Sequence, residues 1–211
     1  MMFKKFLSLS LLFLAAAWFA PNSPAAAEQP QGEAKQVVEK LHEALIDVMK
    51  RSSQLGYQGR LDNLTPVVQG SFDFQAIAKI IVGRYWAELS EQDRQTFLDA
   101  FSRLSTATYA SRFDSYSGES FRTLSAEQQS GQDVVIKTEL VQPDGAVVKL
   151  DYVVRPSGNG QWRILNVIAD GISDLSLKHA DYTAVIKNEG YPALLARLND
   201  KISKYAQPPG K

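Results

Sequence analysis

The sequence predicts an α+β fold in which helices cover the apolar face of a bent antiparallel sheet. Its hydrophobic period changes twice: apolar residues recur at helical spacing over residues 33–116, alternate over residues 121–169, and return to helical spacing from residue 175. Short turns join the alternating segments, which is typical of an antiparallel meander. One face of that sheet is apolar, so the helices are expected to pack against it.

Residues 162–175, with the sequence WRILNVIADGISDL, join the sheet to the second group of helices. The first half is rich in β-branched and aromatic side chains, as in a largely buried strand. Gly171 supplies the backbone freedom for a sharp exit, and Ser173 or Asp174 is a suitable N-cap for a helix from Leu175. We therefore predict that the last sheet strand turns directly into a helix that folds back over the sheet.

The first 27 residues have the features of a secretory signal peptide. Lys4 and Lys5 precede an apolar run from Phe6 to Ala20, and three alanines at 25–27 form a small-residue cleavage site. The run has about fifteen residues, fewer than the roughly 20 that span a bilayer, which favours cleavage after Ala27 over an uncleaved anchor helix. Residues 28–211 are then expected to form a single domain.

The predicted mature chain is nearly neutral and has no cysteine. Lys4 and Lys5 would leave with the signal peptide, so the 23 basic residues become 21 against 23 acidic ones, a net charge of −2. This balance gives no electrostatic reason to expect nucleic acid or an anionic membrane as the main partner. Export without disulfides indicates a soluble protein of a bacterial periplasm, and the lack of cysteine excludes a lipoprotein, a thiol enzyme and a thiolate metal site.

The first helical part is expected to begin with a flexible lead over residues 28–32. An amphipathic helix follows over residues 33–55 and is closed by Gly56 and Gly59. A shorter helix should start at Pro66, where proline suits a first helical position, and end near residue 70.

Two capping signals define the next helices. Asp73 should cap a helix over residues 74–82 that ends at a glycine. Ser90 and Asp93 resemble a capping box, which should open the longest helix of the chain, from residue 91 to about residue 116. An aromatic connector lies between the two helices.

The alternating part predicts three main strands, an edge strand over residues 121–124 and two later helices over residues 175–188 and 192–205. Alternation fixes which side chains face the helices. In the two central strands these are Val134, Ile136, Thr138, Leu140, Val148, Leu150, Tyr152 and Val154.

A set of short motifs runs through residues 33–205. They are Phe72-Asp73, Ile81-Val82-Gly83 followed by Trp86, the helix from Phe97 to Tyr109, Tyr116-Ser117-Gly118, residues 160–167, and Gly171-Ile172-Ser173. Together they resemble the MlaC, or toluene-tolerance, family. Asn166-Val167, residues 170–175 and the terminal Tyr182, Gly190 and Leu194-Leu195 pattern are most similar to its hopanoid-biosynthesis-associated branch, HpnM. Phospholipid-carrying relatives usually have Asp where this chain has Asn166.

This resemblance implies a nuclear-transport-factor-2-like (NTF2-like) cone with an internal apolar cavity. It also implies a periplasmic, non-enzymatic lipid carrier without a cofactor, which works with an ABC-type inner-membrane lipid transporter and makes transient membrane contact. A hopanoid or similar polycyclic lipid is the leading cargo, because the sequence shows no basic cluster near the expected mouth. A phospholipid is the alternative cargo.

A carrier has to enclose its cargo. At about 0.8 kcal/mol per buried methylene, one tail of about fifteen carbons costs on the order of 12 kcal/mol to expose. The same residue types also fill ordinary cores, so the resemblance alone favours a cavity. The candidate lining comprises Tyr85 and Trp86 from the connector, Phe97, Phe101, Leu104, Tyr109 and Phe113 from the long helix, and Ile136, Leu140, Leu150, Tyr152, Trp162 and Ile164 from the sheet.

Polar candidates point to no catalytic or metal site. His42 and His179 lie on separate helices without metal-ligand spacing, and both are expected at the surface. Arg84 is either a headgroup contact or a solvated loop cation. Ser173 is not part of a GxSxG elbow.

Two other classes of function remain open. An isomerase or hydratase with the same cone fold would need a carboxylate and a tyrosine that converge in the cavity, such as Asp151 or Asp170 with Tyr109. Alternation places Asp151 on the polar face, and the glycine after Asp170 indicates a turn. A structural scaffold would have a filled core instead.

Overall fold

The structure is a computed structural model that describes residues 25–206, with side chains from residue 30 onward. The predicted signal peptide lies outside the described residues except for its last three positions, and the predicted frayed end at Pro208 and Pro209 lies outside them as well. Within the described residues, no helix is long and apolar enough to cross a membrane.

Six α-helices and five strands make up the described chain. The helices are α1 (Ala25–Lys50), α2 (Ser52–Ser71), α3 (Phe74–Val82), α4 (Glu91–Arg112), α5 (Asp174–Glu189) and α6 (Tyr191–Ala206), with a 3₁₀ helix at Gly83–Ala87. The strands are β1 (Ser120–Gln128), β2 (Val134–Val141), β3 (Val147–Pro156), β4 (Trp162–Ala169) and β5 (Ile172–Ser173). This order confirms the predicted α+β class.

The five strands form one open sheet in the order β1-β2-β3-β4-β5, and every neighbouring pair is antiparallel. Pairs such as Ile136 with Tyr152 and Thr138 with Leu150 confirm the predicted alternation. Bulges interrupt β1 between Thr123 and Ser125, and the β3–β4 ladder after Val153. Bulges increase twist, so they bend the sheet around the helices.

The N-terminal helices differ from the prediction. α1 already includes the residues that were predicted as a flexible lead, and its 26 residues exceed the 22 of α4, so α4 is not the longest helix. Gly56 does not end the first helix but forms a kink inside α2 at φ 58° and ψ −171°. Pro66 lies inside α2 rather than at its start. Its ring is exposed, and buried Leu64 and Val68 hold the helix against the core on either side.

The predicted caps are confirmed. The Asp73 carboxylate accepts a hydrogen bond from the Ala76 amide at 2.9 Å, and the Ser90 hydroxyl accepts one from the Asp93 amide at 3.1 Å. α4 ends at Arg112 instead of continuing to Tyr116. Its last described turn bonds the Phe113 amide to the Tyr109 carbonyl, and the chain then leaves for the sheet.

The turn from β4 into α5 follows the prediction closely. Asp170 and Gly171 both have positive φ, at 48° and 82°, and the short strand β5 follows them. Ser173 is the N-cap of α5, with its hydroxyl accepting from the Ser176 amide at 3.1 Å. The Asn166 side-chain oxygen accepts from the Leu175 amide at 3.1 Å, which fixes α5 to β4.

Two hydrophobic clusters hold these elements together. One lies among α3, α4, α5 and α6 and contains Phe97, Phe101 and Leu165. The other lies between α1, α2 and the sheet and contains Leu41, Ile136 and Ile164. Phe72 and Phe74, at the start of α3, contact both clusters. The space between the clusters is the site described next.

Candidate functional site

A cavity of about 610 Å³ lies between α4 and the apolar face of the sheet. This volume is within the range of roughly 300–1,000 Å³ that is usual for small-molecule sites. Its apolar wall comprises Met49, Phe72, Phe74, Ile77, Phe101, Leu104, Tyr109, Phe113, Leu140, Val148, Leu150, Tyr152, Leu165, Val167, Ala169, Leu175 and Tyr182. Two layers of the fold therefore stand apart around a hollow.

The apolar face of the sheet divides into two ends along its strands. At the closed end, helices α1 and α2 cover Val134, Ile136, Val154 and Ile164, which are fully buried. At the open end, Leu140, Val148, Leu150 and Val167 are only partly buried and line the cavity. Inward-facing residues of the same alternating pattern thus form a packed core at one end of the sheet and line a cavity at the other.

Helix α4 shows the same division. Phe97, in its first half, is fully buried and packs against Phe101 at 5.8 Å between ring centroids, outside the cavity wall. From Phe101 to Arg112, the residues on one face of the helix line the cavity instead. Aromatic rings continue this wall, since the Tyr109 ring centroid lies 5.9 Å from the ring centroids of both Phe72 and Phe113.

Seven of the thirteen predicted lining residues are in the cavity wall: Phe101, Leu104, Tyr109, Phe113, Leu140, Leu150 and Tyr152. The structure places the other six elsewhere. Phe97, Ile136 and Ile164 are buried in the clusters, and Tyr85, Trp86 and Trp162 are partly buried outside the cavity. Trp86 packs on Phe97, and Trp162 donates from its indole nitrogen to the Glu33 carboxylate at 3.0 Å.

The contributions of α3 and α5 to the cavity wall were not predicted from the sequence. Phe74 and Ile77 of α3, with Leu175 and Tyr182 of α5, complete the wall opposite the sheet. Their helical periodicity marks them as inward-facing, but an apolar stripe does not reveal whether the space it faces is filled. The Phe72-Asp73 motif held the strongest available signal, because Asp73 caps the helix that brings Phe74 to the cavity.

Charged side chains of exposed or half-exposed residues contribute to the cavity lining, and we call this set the charged edge. Arg112, Lys178 and Lys201 contribute three cations to its lining, and Glu119 and Asp174 contribute two carboxylates. Lys178 is paired with Asp174. No basic cluster was predicted near the mouth, yet three cations line the cavity, and they come from the separate helices α4, α5 and α6.

His42 is not at the surface, as was predicted, but buried under the sheet at 5 % exposure. Its Nε2 atom lies 3.0 Å from the Tyr152 hydroxyl, and its ring stacks on Phe121 at 3.8 Å. Burial lowers the pKa of His42 from 6.5 to about 4, so the ring is neutral at pH 7. His42 therefore connects α1 to a residue of the cavity wall. His179, by contrast, is exposed as predicted.

The carboxylates named for an isomerase or hydratase do not meet Tyr109 in the cavity. Asp151 pairs with Lys137 and Ile168 in the sheet register and is absent from the cavity lining. Asp170 accepts a hydrogen bond from the Lys149 amide at 3.0 Å, as a turn residue does. Arg84 is exposed and bonds Tyr85 away from the cavity. Among the residues described, no three His, Cys, Asp or Glu side chains are grouped to hold a metal ion.

Known proteins share this sequence pattern and fold. A curated relative from Haemophilus influenzae, the intermembrane phospholipid transport system binding protein MlaC, is 22 % identical over 128 residues; the match spans 59 % of each chain. A solved phospholipid-binding protein from Ralstonia solanacearum, in complex with a phospholipid, superposes with a TM-score of 0.71 at 21 % identity. That superposition covers 84 % of this chain and 99 % of the solved one.

The model of the family described as MlaC protein matches residues 39–200. The matched region begins in α1 and ends in α6, so it includes every element that lines the cavity. The fold, the hollow between α4 and the sheet, and this match over more than half of the chain together show that the protein belongs to the MlaC family.

Proposed function

We propose that this protein is a non-enzymatic lipid carrier that encloses the acyl part of a phospholipid in the cavity between α4 and the open end of the sheet. The cavity itself is the observation that carries the proposal: about 610 Å³ of space bounded mainly by aliphatic and aromatic side chains. Hydrocarbon placed there is removed from water, which is the main energetic requirement of a carrier.

The charged edge favours a phospholipid over a hopanoid as the cargo. Arg112, Lys178 and Lys201 place cationic groups beside an otherwise apolar hollow. A phosphate group at this edge would be attracted to them, whereas a polycyclic hydrocarbon would gain nothing from them. Both similar proteins reported above are described by phospholipid binding or transport, which agrees with this choice.

The proposed membership of the hopanoid-associated branch depends on residues around Asn166. Asn166 bonds to Ser173 and to the Leu175 amide, and Asp170 forms the turn between them. These contacts build the junction of β4 and α5. Asn166, Asp174 and Leu175 also line the cavity, so the motif builds this junction and part of the lining, and none of these contacts specifies a polycyclic cargo.

The cellular setting belongs to the same proposal. A signal peptide cleaved after Ala27 would deliver a single domain of residues 28–211 to the periplasm. There the carrier would exchange lipid with an inner-membrane transporter and contact membranes transiently. A lipid moved between membranes has to cross water, and the cavity provides an apolar compartment for that passage.

Native mass spectrometry with lipid extraction tests this function on protein purified from its own host. We expect one phospholipid per protein molecule, lost when the complex is denatured. A co-purified hopanoid in place of the phospholipid would keep the carrier function and correct its cargo. Protein that is repeatedly empty and takes up no lipid from vesicles would contradict the proposal.

A further inference from the structure

Six residues with hydroxyl groups contribute to the cavity wall, and most of these groups have partners. Ser105 and Thr108 donate to the carbonyl oxygens of Phe101 and Leu104, at 2.9 and 2.8 Å. Ser115 donates to the Asp114 carboxylate at 3.3 Å, and Tyr152 shares its hydrogen bond with His42. The two that remain are Tyr109 and Tyr182.

The Tyr109 and Tyr182 hydroxyls have no hydrogen-bond partner among residues 30–206, where the bonded tyrosine hydroxyls are those of Tyr85, Tyr152 and Tyr191. In the same part of the chain, no side-chain polar atom that is sealed from accessible space lacks a partner. The two hydroxyl oxygens must therefore touch accessible space. Both residues line the cavity, and Tyr182 is only 6 % exposed in total, so the cavity is the space they face.

Tyr109 and Tyr182 have both charged and apolar neighbours in the cavity wall. Both are close enough to the Asp174 carboxylate for its charge to raise the pKa of each phenol. The Arg112 charge acts on Tyr109 in the opposite direction and lowers its pKa. The Tyr182 ring packs edge-on against Phe97 and Phe101, at 6.3 and 6.4 Å between centroids. The cavity wall thus combines charged groups, neutral hydroxyls and hydrocarbon.

A glycerophospholipid offers a partner for each of these three kinds of group: a phosphate, ester carbonyls and acyl chains. Tyr109 and Tyr182 are neutral donors, because burial raises the pKa of each phenol above its ordinary value. Water can satisfy them in the empty cavity, but acyl chains would displace that water. Each hydroxyl then needs an acceptor, since a buried donor without one weakens binding.

We propose that the Tyr109 and Tyr182 hydroxyls donate hydrogen bonds to the acyl-ester carbonyl oxygens of the bound lipid and so select ester-linked over ether-linked glycerolipids. This inference rests on the proposed lipid-carrier function and adds the chemical group that the wall recognises. The ester carbonyl is favoured over the phosphate because Arg112, Lys178 and Lys201 offer the phosphate charged partners at the edge. An ether oxygen in place of the ester removes the carbonyl acceptor and leaves the chains unchanged.

The experiment compares two phosphatidylethanolamines with identical chains, one diester and one dialkyl ether, in competition with a fluorescent lipid. The proteins are the full mature chain and its Tyr109→Phe, Tyr182→Phe and double variants. We expect the diester to bind the wild type more tightly, with each Phe substitution weakening diester binding by about five-fold. The diether should bind the Phe variants at least as tightly as the wild type, because each substitution removes a donor that the diether leaves without an acceptor. The double variant should therefore no longer distinguish the two lipids.

Tyr85→Phe is the matched control, because Tyr85 is a partly buried tyrosine outside the cavity wall. It should leave both affinities unchanged, and thermal unfolding should show that all variants are folded. Equal wild-type affinity for diester and diether, or an equal loss for both lipids in the Phe variants, would overturn this inference and leave the carrier function intact. Failure of the folded wild type to bind either lipid would instead overturn the proposed function.

Discussion

The two ends of the sheet have similar residues and opposite environments. Ile136 and Ile164, at the closed end, have no exposed surface, because α1 and α2 pack directly on them. Leu140 and Leu150, at the open end of the same face, line a cavity of about 610 Å³. Hydrophobic character therefore determines which face of a strand turns inward, whereas helix placement determines whether that face packs or encloses space.

The largest effect is expected from a charge at the open end. Leu150→Asp would place a carboxylate against the acyl chains of the cargo, and burying an unpaired charge costs several kcal/mol. We expect lipid affinity to fall by about 100-fold or more while the fold is retained, since the empty cavity admits water. Lipid extraction measures the loss, and circular dichroism checks the fold.

Leu124→Asp is the matched control for this substitution, because Leu124 lies on edge strand β1 and is 53 % exposed. It should change neither lipid content nor fold. A folded Leu150→Asp protein with unchanged lipid content would show that the cargo does not touch the open end.

The closed end should respond in the opposite way. Ile136→Ala removes a fully buried side chain from a packed cluster, so the free energy of unfolding should fall by about 2–5 kcal/mol. The folded fraction should bind lipid with unchanged affinity. Urea denaturation followed by fluorescence measures the first quantity, and lipid titration of the folded protein measures the second. A small loss of stability with a large loss of affinity would reverse the assignment of the two ends.

His42 offers a pH test of the contact between α1 and Tyr152. Its pKa is lowered from 6.5 to about 4 by burial, so the folded state favours the neutral ring. Its contribution to stability should be complete above pH 6.5, fall by about 3 kcal/mol as the pH drops from 6.5 to 4, and remain constant below that.

The comparison protein for the pH test is His42→Gln, which keeps a polar group but does not titrate. The difference in unfolding free energy between the two proteins, measured from pH 7 to pH 4, isolates the histidine from the carboxylates that titrate in the same range. A difference that stays constant over this interval would contradict the buried, neutral assignment of His42.

The smallest effect is expected at the charged edge. The double substitution Arg112→Gln and Lys201→Gln removes two cations that are partly or fully exposed to solvent. Exposed charge pairs contribute about 0.2–1 kcal/mol, so affinity for a phospholipid should fall only about two- to five-fold. The loss should shrink at high salt, and a lipid without phosphate should be unaffected. A salt-independent loss for both lipids would show that these residues act through packing.

The alternation of polar and apolar residues predicted the three main strands, but not β5 or the full length of β1, which was predicted over residues 121–124 and spans Ser120–Gln128. Local rules predicted the inward parity of Leu150 and Tyr152, the cap Asp73, and Ser173 as one of two candidate caps, and the structure confirms them. Strand parity and helix caps depend on residues that are close in sequence, so local patterns were sufficient to predict them. The bounds of α1 and α2 depended instead on long-range packing, which holds Pro66 inside a helix despite its missing donor.

The cavity was harder to predict because its wall is not a local property. Ile136 and Leu140 lie on one face of β2 only four positions apart, yet just Leu140 lines the cavity. The difference depends on where α1 and α2 cross the sheet, which periodicity does not encode. The three cations of the lining were not predicted for the same reason, since Arg112, Lys178 and Lys201 lie on three helices whose packing periodicity does not encode.

The most direct test of the central claim is photo-crosslinking with a phospholipid that carries a diazirine in its acyl chain, followed by mapping of the adducts by mass spectrometry. We predict adducts at the open end and on the second half of α4, at Leu140, Val148, Leu150, Phe101 and Leu104. Adducts confined to the outer face of the sheet, or to the closed end around Ile136 and Ile164, would contradict it.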